Sequence, residues 1–294
     1  MDRTGSVFGV VAIATALIAA QANAQNRPGS PANAGVSDPN MTRPIDAAES
    51  VWIEELTWLE VRDALRAGST TAIVATGGIE QNGPYLVTAK HNIILRATAE
   101  AIAKKLGNAL VAPIVAFVPE GSIDPPSGMM RFPGTISVRD ETFRSLLTDI
   151  AGSLRAHGFR TIVFIGDSGG NQQGMERVAA DLSARWSDGT RVLHIPEYYD
   201  WVARQEWLRE RGIMEVDEGI HDEFSADAIM MLVDPRTVRM EQRIAAGKFT
   251  IHGVSLAPAE RTIELGRGLV DHIATITAAA IRNRLRASGS DGGR

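Results

Sequence analysis

Cysteine is absent from the 294 residues. No disulfide, thiolate metal site, cysteine nucleophile or lipid-bearing cysteine is therefore available. Aromatic side chains make up only 5%, and no basic run interrupts a net charge of −5. A mildly acidic chain without a basic stripe is a poor nucleic-acid binder, so no nucleic-acid partner is expected. Long apolar runs are scarce too. The one candidate, residues 7–20, is too short for a comfortable bilayer span.

That run follows Arg3 and ends in Ala22-Asn23-Ala24, small residues at the spacing of a signal-peptidase site. Residues 1–24 are read as a signal peptide, cleaved before Gln25. The mature protein is then periplasmic or secreted and free of the membrane. Export without disulfides suits a bacterial periplasm for a chain of this length.

What is present is apolar enough, at 44%, for a sizeable core. Residues 25–47 are rich in Pro, Asn, Gly, Ser and Ala and read as a flexible linker. Residues 287–294 read as a disordered tail. Between them, 48–286 form the folded domain. Thr57-Trp58-Leu59-Glu60 is a capping-box signature for a helix running to Ala67, before Gly68. Residues 70–75, 109–117, 161–165 and 191–195 have the apolar, β-branched character of buried strands. Residues 91–106, 140–157, 172–186, 226–232 and 259–285 have helical periodicity. Strands alternating with helices predict an α/β three-layer sandwich, a mainly parallel sheet flanked by helices. Ligands of such sheets bind beyond the carboxyl ends of the strands. The polar residues just after strands are Glu80 to Asn82, Asp167 with Ser168, and the 197–223 stretch, and these should converge on one crevice.

Four segments could carry chemistry. In the first, Glu80 precedes Lys90-His91-Asn92 by a Gly/Pro loop. Carboxylate and imidazole are good ligands for zinc or manganese, although Glu80 could equally cap a loop and His91 a helix. In the second, Gly166-Asp167-Ser168-Gly169-Gly170-Asn171 fits three readings. Asp167 could bind metal, Ser168 could be a nucleophile on a G-x-S-x-G elbow, or the glycine amides could hold an oxyanion. In the third, His221-Asp222-Glu223 could make a metal site or an oriented general base, or a solvated acidic helix start. The fourth, residues 125–135, is a Pro/Gly loop suited to a pocket rim or an oligomer contact.

Taken in order, these segments resemble a family. Glu80-Gln81-Asn82-Gly83-Pro84-Tyr85-Leu86 is similar to the E-Q-H-G-P-H-L pattern of the creatininases. Phe132-Pro133-Gly134-Thr135-Ile136-Ser137 resembles their F-P-G-T-I-S segment. Gly158-Phe159-Arg160 and Gly169-Gly170-Asn171 resemble G-F-R…N-G-H-G-G-N, and His221 falls where H-A-G-x-x-E-T-S begins. The resemblance covers about residues 52–239. It implies an α/β parallel-sheet fold, a homo-oligomer, usually a hexamer, and hydrolysis of cyclic or linear amides at a two-metal centre of zinc or manganese.

The family's site residues transfer unevenly. Glu80 matches the metal-binding glutamate and His221 the catalytic histidine. Asn82 stands where the pattern has a histidine ligand, His91 where it has a carboxylate, Ser168 where it has a histidine, and Ala226 where it has a ligand glutamate. Asp167, Asp222 and Glu223 are additional acids nearby. The resemblance thus leads to a remodelled site. Glu80, His91, Asp167 and one of Asp222 or Glu223 would hold one or two divalent cations (Zn, Mn or Mg). An activated water would attack the amide, and His221 would carry the proton to the leaving nitrogen. Asn82, Tyr85, Ser168, Gly169, Gly170 and Asn171 would contact a small amide or lactam substrate. Two rivals accompany this expectation. One is a serine hydrolase with Ser168, Asp222 or Glu223, and His252 or His272. The other is a catalytically inactive creatininase-fold binding or assembly protein.

Overall fold

A computed structural model describes residues 38–290. The leader of residues 1–24 and most of the expected linker lie outside the described residues. The chain divides into two units, Met1–Asp46 and Ala47–Arg294. The described part of the first has no helix or strand.

The second unit is built on four parallel strands: β1 (Thr71–Thr76), β2 (Ala109–Val111), β3 (Thr161–Gly166) and β4 (Arg191–His194). Their spatial order is β2-β1-β3-β4, with Thr71 level with Ala109 and Thr161. The helices in chain order are α1 (Trp58–Arg66), α2 (Lys90–Leu106), α3 (Asp140–Ala156), α4 (Gly169–Arg185), α5 (Trp201–Arg209), α6 (Phe224–Val233), α7 (Met240–Ala245) and α8 (Ala259–Ser290).

The alternation of side chains along each strand makes the layers. Ile73, Ala75, Val163 and Ile165 pack into one core with α2, α6 and α8. Val74, Ile162 and Phe164 point the other way, into a core with α3 and α4. Ala72 and Leu110 join α1 and Phe159 at the lower end of that face. Every residue of β1 and β3 is buried, as a strand covered on both faces requires. This is the expected α/β sandwich.

Local signals account for most boundaries. Thr57 caps α1 with a complete capping box to Glu60. Gly107, at φ 80°, ends α2 in the left-handed conformation that glycine adopts without strain. The strand expected over 109–117 stops at Val111, because Pro113 cannot donate to the ladder. α8 runs on to Ser290, past the expected start of the tail, because Arg282 to Ala287 are good helix formers. Three elements went unanticipated: α5, α7 and a hairpin of β5 (Thr250–Ile251) and β6 (Val254–Ser255). The hairpin turns on His252 and Gly253, both at positive φ, as two-residue turns favour. Among the described residues no helix is long and apolar enough to cross a membrane.

Candidate active site

The loops leaving the carboxyl ends of β1 and β3 meet α2 at its first turn. There the His91 ring lies between two carboxylates. Its Nε2 is 2.7 Å from Glu80 Oε1 and its Nδ1 is 2.9 Å from Asp167 Oδ2. All three groups are buried. Burial works against a charged ring, but the hydrogen bonds to Asp167 and Glu80 outweigh it, and the His91 pKa is pushed up to about 9. Burial also pushes on both carboxyls, yet each is held below its ordinary range. For Glu80 the His91 hydrogen bond and charge do this; for Asp167 the same ring and Arg204 do. The unit is a carboxylate–imidazolium–carboxylate chain.

Asp167 is anchored from behind. Its Oδ1 accepts from Arg204 Nη2 and from the Tyr198 hydroxyl, each at 3.3 Å. Tyr198 in turn meets Thr98 at 2.8 Å. Tyr198 and Arg204 follow β4, so three strand ends contribute to one cluster.

Sequence reasoning missed Glu120. Burial first, then the charge and hydrogen bond of Glu80, push its pKa up to about 8. At neutral pH it is a neutral acid beside the Glu80 carboxylate. Its position is set by the segment 132–137. Ser137 Oγ accepts from the Glu120 amide at 2.9 Å and donates to the Gly121 carbonyl. Ile136 N–H donates to the Ile79 carbonyl, and the Gln81 amide donates to Thr135 Oγ1. The approach also needs a bare backbone at Gly78, since a Cβ there would lie 2.1 Å from Glu120 Oε1.

Lys90 was also unassigned. It is 3% exposed. Its ammonium lies close enough to favour the charged forms of Glu80, Glu120, Asp167, Asp222 and Glu223 and to oppose that of His91.

His221 faces this cluster from the loop before α6. Its Nδ1 is 2.9 Å from the Gln81 carbonyl, which makes Nδ1 the donor and leaves Nε2 free. That Nε2 is 3.8 Å from Glu80 Oε1, and the side chain is 38% exposed. Asp222 and Glu223 lie apart from the His91 chain. Asp222 Oδ1 accepts from the Glu223 amide at 2.7 Å, and burial raises the Asp222 pKa to about 7. Asp227 pairs with Arg243 at 3.0 Å, both essentially without exposure. Glu223 is part-buried and its pKa is raised, by burial first. Both acids wall a cleft of about 390 Å³, together with Trp201, Gln205 and Arg209.

The expected substrate contacts separate into two groups. Gly169 and Gly170 are exposed at the start of α4, and Ser168, at its N-cap, is buried. The other three face inward. Asn171 is fully buried, and its Nδ2 donates to the Gly77 and Thr76 carbonyls, which staples β1 to α4. Asn82 is 1% exposed and donates to the Glu80 and Val87 carbonyls, which braces the loop. Tyr85 packs its ring under the Arg243 guanidinium at 4.4 Å. The histidines of the serine-hydrolase alternative are engaged elsewhere. His252 bonds backbone groups of residues 216, 218 and 222, and His272 lies against Trp207.

A profile of the creatininase family, described as creatinine amidohydrolase, matches residues 54–281. The chain belongs to the creatininase family.

A curated relative is the creatinine amidohydrolase of Pseudomonas putida, 30% identical over 118 residues. That match covers 40% of this chain and 45% of the relative, so it spans less than half of either. A tryptophan-to-alanine mutant creatininase has the same fold, with a TM-score of 0.59 at 21% identity, over 80% of this chain and 99% of the other. A glutamate-to-glutamine mutant creatininase of Zn–Zn type and a manganese creatininase also align, with TM-scores of 0.55 and 0.56 at 21% identity. Each covers 82% of this chain and 99% of its own.

The zinc and manganese of those creatininases raise the question of whether this chain's residues fit a divalent cation. As arranged, they do not. Both ring nitrogens of His91 and both oxygens of Asp167 are taken by other side chains. The unpartnered Glu120 Oε1 abuts the Gly78 backbone. Among the described residues, no three His, Asp or Glu side chains are arranged to hold a metal ion. Of the groups named as ligands from sequence, Glu80, His91 and Asp167 satisfy one another instead.

Proposed function

We propose that this creatininase-family protein hydrolyses the C–N bond of a small cyclic or linear amide, with His221 as the proton carrier. The observation that carries this reading is the His221 ring itself. It is the half-exposed base of the cluster, its tautomer is set by Gln81, and its free Nε2 faces the Glu80 carboxylate at 3.8 Å. Family membership supports the reaction class.

In this scheme His221 Nε2 takes a proton from water as the water oxygen bonds to the amide carbon. The nearby Glu80 carboxylate, held ionised by His91, stabilises the imidazolium that forms. The C–N bond then breaks, and the same proton passes from Nε2 to the leaving nitrogen. Water is consumed, and a carboxylic acid and an amine result. The N-terminal turn of α4, which begins at Gly169 and Gly170, is suited to the oxyanion.

The test is His221→Ala against a panel of lactams and linear amides. Loss of about 10²- to 10⁴-fold in kcat is expected, with the unfolding free energy changed by less than about 1 kcal/mol because the ring is half-exposed. Unchanged turnover in a folded variant would end this reading.

We also propose export with cleavage before Gln25 and assembly as a homo-oligomer, on the leader composition and the family resemblance. N-terminal sequencing of the mature protein and light scattering test these.

A further inference from the structure

The first turn of α2 breaks the ordinary rules for starting a helix. Its N-cap, Ala89, makes no side-chain cap, no acid lies in the first turn, and the first two residues are Lys90 and His91. Positive charge at a helix N-terminus opposes the helix dipole. A buried imidazolium there needs carboxylates from outside the helix, and Glu80 and Asp167 supply them. Local sequence preference has been overridden for the sake of charge at this spot.

The His91 geometry specifies that charge. With a carboxylate oxygen 2.7 Å from Nε2 and another 2.9 Å from Nδ1, both nitrogens must bear hydrogen. A neutral ring would set a lone pair against one of the anions. An imidazole with no lone pair cannot ligate a metal. Lys90, 3% exposed, precedes His91 in the same first turn, and its charge favours the ionised forms of Glu80 and Asp167. A divalent cation placed there would meet two fixed positive charges in a poorly solvated setting.

We infer that this site carries its positive charge on Lys90 and the doubly hydrogen-bonded His91, and that it takes no divalent cation. The two residues occupy the place in the electrostatics that a metal would fill, holding Glu80 ionised and polarising the site. Their use in amide hydrolysis rests on the function proposed above. The charge arrangement itself does not.

The full mature chain, purified without chelator, is analysed for metals by mass spectrometry and titrated with Zn²⁺ and Mn²⁺ by calorimetry. Metal well below one ion per chain is expected, with no saturable heat from either ion and the same unfolding midpoint with and without EDTA. Stoichiometric zinc or manganese that EDTA removes, with a fall in the midpoint, would overturn the inference. Lys90→Gln, once shown to fold by circular dichroism, should show a saturable Zn²⁺ heat that the wild type lacks. A folded variant no better at binding removes Lys90 from the scheme. If the variant does not fold, metal analysis of the wild type still decides. A metal-free protein inert toward every amide would end the hydrolase reading and leave this one standing; an active, metal-loaded protein would do the reverse.

Discussion

Nε2 of His91 lies 2.7 Å from Oε1 of Glu80, and this contact joins the loop after β1 to the first turn of α2. The other ring nitrogen reaches across to Asp167, at the end of β3. One imidazolium thus ties together the ends of the two central strands. Its charge is a condition of the fold as well as of the site.

A pH dependence of stability follows. The His91 ring has an ordinary pKa of 6.5 and one of about 9 in the fold, so the native state binds the proton more tightly. The stabilisation is complete below pH 6.5 and is lost as pH rises through about 9. Urea unfolding should show stability falling across that window by up to roughly 3 kcal/mol. His91→Asn should flatten the slope.

Glu120 acts in the same direction for the opposite reason. Its carboxyl rises from 4.5 to about 8, so the unfolded chain releases the proton first and stability declines with pH through that interval. Glu120→Gln keeps a hydrogen-bond donor beside Glu80 but cannot titrate. Its midpoint should exceed the wild-type midpoint at pH 8 and match it at pH 4.5. A parallel decline in both proteins would count against a neutral Glu120.

Gly78 admits Glu120 by lacking a Cβ. Gly78→Ala would place that atom 2.1 Å from Glu120 Oε1, so the carboxyl must move. A stability loss of about 1–2 kcal/mol is expected, with a larger proportional loss of the proposed amidase activity. Thermal scans and kcat on one preparation separate the two.

Arg243 and Asp227 form a fully buried pair at 3.0 Å. Arg243→Ala leaves the acid unpaired and should cost about 3–5 kcal/mol in urea unfolding. Adding Asp227→Asn should return part of that loss, since removing both charges removes the unpaired one.

Much of the fold was legible from local chemistry. The Thr57 capping box, the glycine after α2 and the β-branched runs of β1 and β3 each report a short-range preference, and the structure kept them. α5, α7 and the β5–β6 hairpin were not legible, because their residues carry weak propensities and are held by packing. In the site, Glu80, Asp167 and His221 stand out by their place after strands and His91 by following Glu80 across a Gly/Pro loop, and the structure brings the four together. Glu120 and Lys90 were passed over. Glu120 stands in a Pro-rich stretch between β2 and α3 with no periodicity to mark it, and Lys90 looks like an ordinary surface lysine at the start of a helix.

The residue order alone determined a parallel sheet with its polar loops at one end, because period-2 and period-3.6 burial patterns are readable along the chain. It also determined membership in the creatininase family. Only the tertiary structure decided how the charged groups pair. Whether a histidine is a ligand or an imidazolium depends on what lies within 3 Å of each nitrogen, and for His91 those neighbours are 11 and 76 positions away along the chain.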